Sequence, residues 1–325
     1  MRRILSILGG IALLWAALPA ADAVAQTYPD RPLKLIVPFP PGGSIDMLSR
    51  MLGERLAERL RQPVVVENKP GASGLIGAEF VARSAPDGLT LLTAPTSVYA
   101  VSLALNGKLA FDLTRDLAPL SLVAITEQVV NVNPAVPAAT LGEFVAWAKG
   151  RPRALNMASQ GNGTVSHLAC AWLASQAGIE LTHVPYKGSA QAITDLVSGN
   201  VQVMCDSVAA SLPQIRAGKL RALAAVGARR TPQLPDVPTV AEALLPGYKV
   251  ESWTGLMAPG ATPQPIVERL QQEIVRIIAD PALTRRLVEA GFRPQSSTSE
   301  AFARQIRDDI SVWTGVVKST GVTPE

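Results

Sequence analysis

The sequence predicts an α/β fold built from two successive blocks of alternating strands and helices. Short apolar runs of β-like composition alternate with stretches whose apolar residues recur at helical spacing. This alternation occurs before residue 95 and again between residues 128 and 227. No Ser/Gly linker separates the two blocks, and the sequence has no internal repeat. Such an order predicts a mainly parallel sheet flanked by helices in each block, with right-handed crossovers.

In the first block, the nearly continuous apolar run LKLIV (33–37) predicts a strand that is buried on both faces. Further strands are predicted at PVVVEN (63–68) and LTLLTA (89–94). A helix follows the first strand, because apolar residues recur at helical spacing at Ile45, Leu48, Leu52, Leu56 and Leu60. A second helix is predicted around Leu75 to Arg83.

The second block contains five predicted strands, QVVNVN (128–133), ALNMAS (154–159), LTHVPY (181–186), VQVMCD (201–206) and LRALAAVG (220–227). Helices are predicted between them. From Thr262 onwards the pattern is helical only, with Asp280-Pro281 separating the first two helices and the last helix near Ser299 to Lys318.

The first 25 residues have the pattern of a secretory signal peptide. Arg2 and Arg3 precede an apolar run from Ile4 to Leu18, and Ala23-Val24-Ala25 lies just before Gln26. We expect cleavage after Ala25, which would give an exported mature protein; an uncleaved N-terminal anchor is the alternative. The apolar run is short for a membrane span, and no later segment approaches the required length.

Charge and composition argue against several classes of function. The formal net charge is only +4 and 5% of the residues are aromatic, without the dense Lys/Arg stripe of a nucleic-acid-binding protein. Neither CxxC nor HExxH occurs and there are two histidines, so we expect no metal site and no cofactor. The two cysteines, Cys170 and Cys205, fit either a disulfide in an oxidising compartment or two buried thiols.

The glycine-rich segment PFPPGGSID (38–46) is the first candidate site. Gly42 and Gly43 free the backbone, and Ser44 is a favourable N-cap for the helix that follows. Backbone N–H groups at such a helix start can hold an anion without Lys or Arg. The segment matches neither GxxxxGK[ST] nor GxGxxG, so a nucleotide is not expected. We expect Asp46 to be a first-turn carboxylate that is stabilised by the helix dipole, rather than a residue that contacts the ligand.

A second glycine-rich loop, SQGNGTVSH (159–167), also lies between a strand and a helix. Thr164 can cap that helix or donate its hydroxyl, and His167 fits a base, a ligand contact or a packed helix residue. Asp206 fits either a helix cap or an acceptor for a ligand hydroxyl or ammonium group. The turns at 68–74 and 186–196 repeat the arrangement, the latter with Gly188 and Ser189 at a helix start.

Catalysis finds little support in the sequence. No GxSxG nucleophile elbow is present, and the adjacency of Ser166 and His167 does not make them a nucleophile–base pair. An enzyme on this scaffold would need a positioned base, for which His167 and Asp206 are the candidates. We expect a binding protein, not an enzyme.

The mature chain resembles the Bug family, the substrate-binding receptors of tripartite tricarboxylate transporters. The resemblance covers it almost throughout, and its segments occur in the family's order: YPDRPLKLIVPFPPGGSID, VVVENKPGASGLIGAEFVARSAPDGLTLL, MASQGNGTVSHLA, HVPYKGSAQAITDLVSGNVQVMCDS, LRALAAVGARRTPQLPDVPTVAEALLPGY and SWTGLMAPGATP. No single motif is decisive, but the ordered set is specific.

The resemblance implies a two-lobed periplasmic binding protein of type II, whose lobes close on a small carboxylate that is delivered to a membrane permease. Carried onto this chain, lobe 1 comprises residues 26–126 plus 226–325, and lobe 2 comprises residues 127–225. A monomer is expected, and a di- or tricarboxylate and an aromatic acid all remain open as ligands. A sensory receptor that passes ligand occupancy to a signalling partner is the alternative output.

The resemblance also implies the ligand-binding positions. The first carboxylate-binding turn is Phe39 to Asp46, including Gly42, Gly43 and Ser44, with ordered waters between ligand and backbone. The facing turn contains Ser159, Gly161, Gly163, Thr164 and His167. Further cleft positions are Ala72, Thr96, Ser97, Tyr186 and Asp206, and specificity is expected at Ser44-Ile45, Thr96-Ser97 and Asp206-Ser207.

Overall fold

The computed structural model describes residues 28–107 and 109–324, and the described residues from Arg31 onwards belong to one compact unit. The predicted signal peptide lies outside the described residues. The described strands are β1 (Leu33–Val37), β2 (Val64–Asn68), β3 (Thr90–Pro95), β4 (Leu117–Thr126), β5 (Gln128–Val132), β6 (Asn156–Ser159), β7 (Thr182–Pro185), β8 (Val203–Ser207), β9 (Arg221–Ala225), β10 (Trp253–Pro259) and β11 (Phe292–Pro294).

The described α-helices flank these strands in the alternating order expected from the sequence. They are α1 (Ser44–Leu60), α2 (Leu75–Ala82), α3 (Ser102–Asn106), α4 (Leu113–Asp116), α5 (Leu141–Lys149), α6 (Val165–Ala177), α7 (Ser189–Ser198), α8 (Val208–Arg216), α9 (Val240–Ala243), α10 (Gln264–Ile278), α11 (Pro281–Glu289) and α12 (Ser299–Thr320). A 3₁₀ turn (Ala72–Gly74) precedes α2 and a π turn (Ser97–Val101) precedes α3.

The strands form two separate sheets, which confirms the predicted α/β architecture of two sheets flanked by helices. One sheet has the order β11-β4-β10-β3-β1-β2 and the other has the order β7-β6-β8-β5-β9. The chain therefore starts in the first sheet, builds the second sheet between β5 and β9, and returns to the first through β10.

Both sheets are mixed, because each contains antiparallel strands beside strands that share one direction. In the first sheet β1 pairs in parallel with β2 and β3, whereas β10 runs antiparallel to both β3 and β4. In the second sheet β6 pairs in parallel with β7 and β8, whereas β5 is antiparallel to β8 and β9. The crossover rule describes consecutive β-α-β units, so it does not apply to strands that pass between sheets.

The described hydrophobic core explains the strongest sequence patterns. In α1, the apolar stripe Leu48, Leu52, Leu56 and Leu60 is buried. β1 is apolar and buried except at Lys34, as its composition predicted. Trp253 of β10 packs edge-on against Phe302 of α12 with ring centroids 5.0 Å apart.

Two extended segments run side by side between the sheets. Thr126 N–H donates to Ser252 O at 2.7 Å at the end of β4, and Val250 N–H donates to Val226 O at 2.7 Å after β9. Where the chain passes between the sheets, its backbone is therefore held by hydrogen bonds to the neighbouring segment.

A disulfide joins Cys170 of α6 to Cys205 of β8, with Cα atoms 5.5 Å apart. The two cysteines had fitted either a disulfide or free thiols, and the structure resolves that choice. None of the described helices is long and apolar enough to cross a membrane.

Candidate functional site

The glycine-rich turn before α1 is closed by the carboxylate of Asp46. Gly42 has φ +85°, and its N–H donates to Asp46 Oδ2 at 3.0 Å. Asp46 also accepts from Arg50 at 3.0 and 2.9 Å and from Asn68 at 2.9 Å. Burial alone would raise the pKa of Asp46, but these bonds outweigh burial and hold that pKa below its usual value.

The next residues, at the start of α1, line a cavity. Gly43 is the N-cap of α1, where Ser44 was predicted, and no side chain caps this helix. Gly43, Ser44 and Ile45 line a cavity of about 180 Å³. Because the first N–H groups of a helix have no partner within the helix, this terminus offers donors and the positive end of the helix dipole to the cavity.

A second helix N-terminus opens on the same cavity from the other sheet. α7 begins after Gly188, also without a side-chain cap, and the cavity is lined by Gly188, Ser189, Ala190 and Gln191. The two turns touch, since a Cβ at Gly188 would lie 3.2 Å from Pro40 Cδ. Among the described residues that line this cavity, none carries a charged side chain. Anion binding here would depend on backbone N–H groups and hydroxyls.

A larger cavity of about 390 Å³ adjoins the first, because Phe39 and Gln160 line both. Its walls include the loop of the 3₁₀ turn on one side and the loop after β6 on the other. Ser73 Oγ donates to Asn162 O at 2.7 Å, so these loops are in direct contact. Lys187 is the cationic residue of this wall.

Asp206 lies behind the cavities rather than in their walls. It is fully buried, and its Oδ1 accepts from Gln160 Nε2 at 2.5 Å, Ser189 Oγ at 3.0 Å and Ser207 N–H at 2.7 Å. Burial raises the pKa of Asp206 to about 6, against the lowering effect of these three donors. Asp206 is not the helix cap that the sequence allowed, because the next residue, Ser207, caps α8.

His167 packs away from the two cavities. Its ring stacks on His183 with centroids 3.6 Å apart, and its Nδ1 accepts from Gly163 N–H at 3.2 Å. Burial lowers the pKa of His167 to about 3, with a further contribution from His183, and lowers the pKa of His183 to about 4. Both rings are therefore neutral at physiological pH, as expected of packed residues.

Several other residues predicted to bind the ligand form hydrogen bonds within the protein. Thr96 Oγ1 accepts from Trp253 N–H at 2.8 Å, and Ser97 Oγ accepts from Val165 N–H at 3.1 Å. Thr164 caps α6, and Ser159 Oγ lies 2.7 Å from His183 Nε2. These groups fix the loops that carry the cavity walls.

The predicted site residues thus divide into two groups. Six line the two cavities, namely Phe39, Gly43, Ser44, Ala72, Gly161 and Tyr186. Nine lie outside those walls, namely Gly42, Asp46, Thr96, Ser97, Ser159, Gly163, Thr164, His167 and Asp206. The cavity walls also include Gln160 and the start of α7, whose Gly188 and Ser189 the sequence had indicated as a helix-start turn without naming them as ligand-binding positions.

The chain matches the family model described as tripartite tricarboxylate transporter family receptor over residues 48–322. BugT of Bordetella pertussis is 37% identical over 322 residues, which cover 99% of this chain and 98% of BugT. The structure of Rpa4515 from R. palustris with adipate is 33% identical with a TM-score of 0.87, and the match covers 92% of this chain and 100% of that one.

The structure of the periplasmic binding protein BugD is 32% identical with a TM-score of 0.85, covering 92% of this chain and 100% of that one. The fold is therefore that of periplasmic binding proteins, and the resemblance found in the sequence is confirmed. The chain belongs to the tripartite tricarboxylate transporter receptor family and is related to the Bug proteins.

Proposed function

We propose that this protein captures a small organic carboxylate between its two sheets and delivers it to the membrane permease of a tripartite tricarboxylate transporter. The observation that carries the proposal is the pair of uncapped helix N-termini, those of α1 and α7, at one cavity. A carboxylate there would accept backbone N–H bonds from both sheets and meet two favourable helix dipoles.

The chemistry of the cavity favours an organic acid over a sugar or a nucleotide. Desolvating a carboxylate costs several kcal/mol, so oriented N–H groups and retained waters must replace its hydration. The apolar residues Phe39, Pro40, Pro41 and Ile45 would pack against the hydrocarbon part of the ligand. The adipate bound to the related R. palustris protein supports the same class of ligand.

Closure of two lobes is the proposed mechanism of capture. We place the lobes at residues 26–126 plus 226–325 and at residues 127–225, so that each lobe contains one sheet. The hydrogen-bonded crossing segments around Thr126 and Val226 would form the hinge. Contacts such as Ser73 with Asn162 would form as the cleft closes. The permease would then recognise the closed, loaded form.

The proposed location is the periplasm, after removal of residues 1–25. We propose that the mature protein acts as a monomer, that it binds its ligand without cofactor or turnover, and that the bound acid leaves chemically unchanged.

A ligand screen tests this function. Purified residues 26–325 would be titrated with succinate, adipate, citrate and benzoate, with inorganic phosphate and glucose as controls. Ligand at about 100 times its dissociation constant adds roughly 2.7 kcal/mol to stability, which raises the melting temperature visibly. Stabilisation by at least one acid and not by glucose supports the function. Stabilisation by glucose or phosphate alone would contradict it.

A further inference from the structure

The amide of Gln160 is held in one orientation by a buried carboxylate. Its Nε2 donates to Asp206 Oδ1 at 2.5 Å and to Ser189 Oγ at 3.0 Å, so both hydrogens of the amide are used. Ser189 Oγ donates to the same Asp206 oxygen at 3.0 Å. Reversing the amide would bring Gln160 Oε1 against the carboxylate, which is unfavourable.

This arrangement leaves an acceptor facing the ligand cavities. Gln160 lines both cavities, at the point where they adjoin. Its Oε1 has no hydrogen-bond partner among the described residues. It is not among the buried unpaired atoms, so it remains accessible to solvent. The hydroxyl hydrogen of Ser189 is also directed at Asp206. The side chains at this junction therefore offer an acceptor, while the backbone N–H groups nearby offer donors.

We propose that Gln160, positioned by Asp206, makes the cleft selective for carboxylates that carry a hydroxyl group, whose hydrogen Gln160 Oε1 accepts. The inference rests on the proposed function and narrows its ligand class. A carboxylate alone has only acceptors and would leave Gln160 Oε1 unpaired in the closed cleft. A hydroxyl is favoured over an ammonium group because Gln160 Oε1 is a neutral acceptor and Lys187, the charged residue in the wall of the larger cavity, is itself a cation.

Matched pairs of acids that differ by one hydroxyl test the proposal. Calorimetric titration of residues 26–325 would compare malate with succinate, citrate with tricarballylate, and 4-hydroxybenzoate with benzoate. We expect the hydroxylated member of at least one pair to bind about 3- to 10-fold more tightly, the range of one neutral hydrogen bond. Aspartate against succinate serves as the ammonium comparison.

Two variants assign the effect to this network. In Gln160→Leu we expect the ratio of the two affinities, hydroxylated acid over its hydroxyl-free counterpart, to fall to about one. The affinity for the hydroxyl-free acid should change less than that for the hydroxylated acid. In Asp206→Asn an amide replaces the carboxylate that fixes Gln160, so a reversed Gln160 amide no longer faces a negative charge and we expect a smaller preference; a thermal melt checks that the variant is folded. Gln191→Leu is the matched control in the same cavity, where both affinities should change by the same factor.

The outcomes separate this inference from the proposed function. Acids that bind without any hydroxyl preference, or a preference only for the ammonium of aspartate, would overturn the role of Gln160 and leave a carboxylate receptor. A hydroxyl preference that survives in both Gln160→Leu and Asp206→Asn would also overturn it. If no acid binds at all, the proposed function of carboxylate capture is itself contradicted.

Discussion

The N–H of Gly42 donates to Asp46 Oδ2 at 3.0 Å, so a carboxylate of the turn itself occupies the first donor of the glycine-rich segment. An acidic residue beside an anion site is unfavourable unless its charge is balanced. Arg50 provides that balance by binding both oxygens of Asp46. The donors that remain for a ligand are those of the residues that follow Gly42 and line the cavity.

Removing the Asp46 carboxylate should destabilise the folded protein. Asp46 is nearly buried and accepts hydrogen bonds from Gly42, Arg50 and Asn68. We expect Asp46→Ala to lower the free energy of unfolding by about 2–4 kcal/mol, measured by urea denaturation at pH 7. Because the pKa of Asp46 is lowered, this contribution is present above its unfolded pKa and is lost as the pH falls through the folded value.

Glu180→Ala is the control for Asp46→Ala. Glu180 pairs with Arg153 at 2.7 Å on the surface, and both side chains are exposed. Its loss should change stability by less than about 1 kcal/mol. Equal effects of the two substitutions would contradict the role given to Asp46.

A side chain at Gly43 should block the ligand site without damaging the fold. A Cβ there would have no neighbour closer than Pro40 O at 4.0 Å, and no positive φ strains the position. We expect Gly43→Val to weaken carboxylate binding at least about tenfold by filling the space in front of the α1 N-terminus. Titration calorimetry and a thermal melt measure affinity and folding separately.

The matched control for that variant is Gly315→Val. Gly315 lies in α12, and a Cβ there would meet nothing within 4 Å. This variant should bind the ligand normally. Unchanged affinity in Gly43→Val would show that the ligand binds elsewhere.

The stacked histidines should make the protein sensitive to acid. Because burial lowers the pKa values of His167 and His183 to about 3 and about 4, the folded state resists protons that the unfolded state binds below pH 6.5. Their stabilisation is complete above pH 6.5 and is lost as the pH falls, by up to about 1.4 kcal/mol per pH unit for each ring.

Asp206 acts in the opposite direction, since its pKa is raised to about 6 and its stabilising effect grows as the pH falls below that value. Two histidines with larger shifts outweigh one aspartate, so we expect a net loss of stability between pH 6.5 and 4. Denaturation at several pH values measures the slope. His167→Phe keeps a ring on His183 and should reduce the slope; an unchanged slope would exclude His167 as its cause.

The disulfide should contribute substantially to stability. It links α6 to β8 across 35 residues of sequence, close to Asp206. Closing a loop of this length restricts the unfolded chain, so we expect the double variant Cys170→Ala, Cys205→Ala to lose about 2–4 kcal/mol. Reductant should destabilise the wild-type protein to the same extent and leave the double variant unaffected. A wild-type denaturation curve that does not respond to reductant would contradict this expectation.

The sequence predicted those elements whose pattern is local. The apolar run of β1 and the helical stripe of α1 follow from residues close in the chain, and both were predicted within a few positions. β4 and β10 were missed although both are largely buried, because Pro119, Gly255 and Pro259 interrupt the strand pattern. Their antiparallel pairing depends on a return from the second sheet that no local pattern encodes.

The sequence located part of the cavity walls for the same reason. The glycines before α1 mark a helix N-terminus in sequence, and that terminus lines the cavity. The roles of Asp206 and His167 depend on which residues fold against them. Asp206 is buried and accepts a hydrogen bond from Gln160, and His167 stacks on His183 outside the walls of the two cavities.

A crystal structure with the tightest-binding acid tests the central claim most directly. We expect a carboxylate of the ligand in the cavity between Ser44 and Ser189, within about 3 Å of backbone N–H groups of α1 and α7 or one water away from them. An acid bound outside this cavity, for example beside the stacked rings of His167 and His183, would contradict the account.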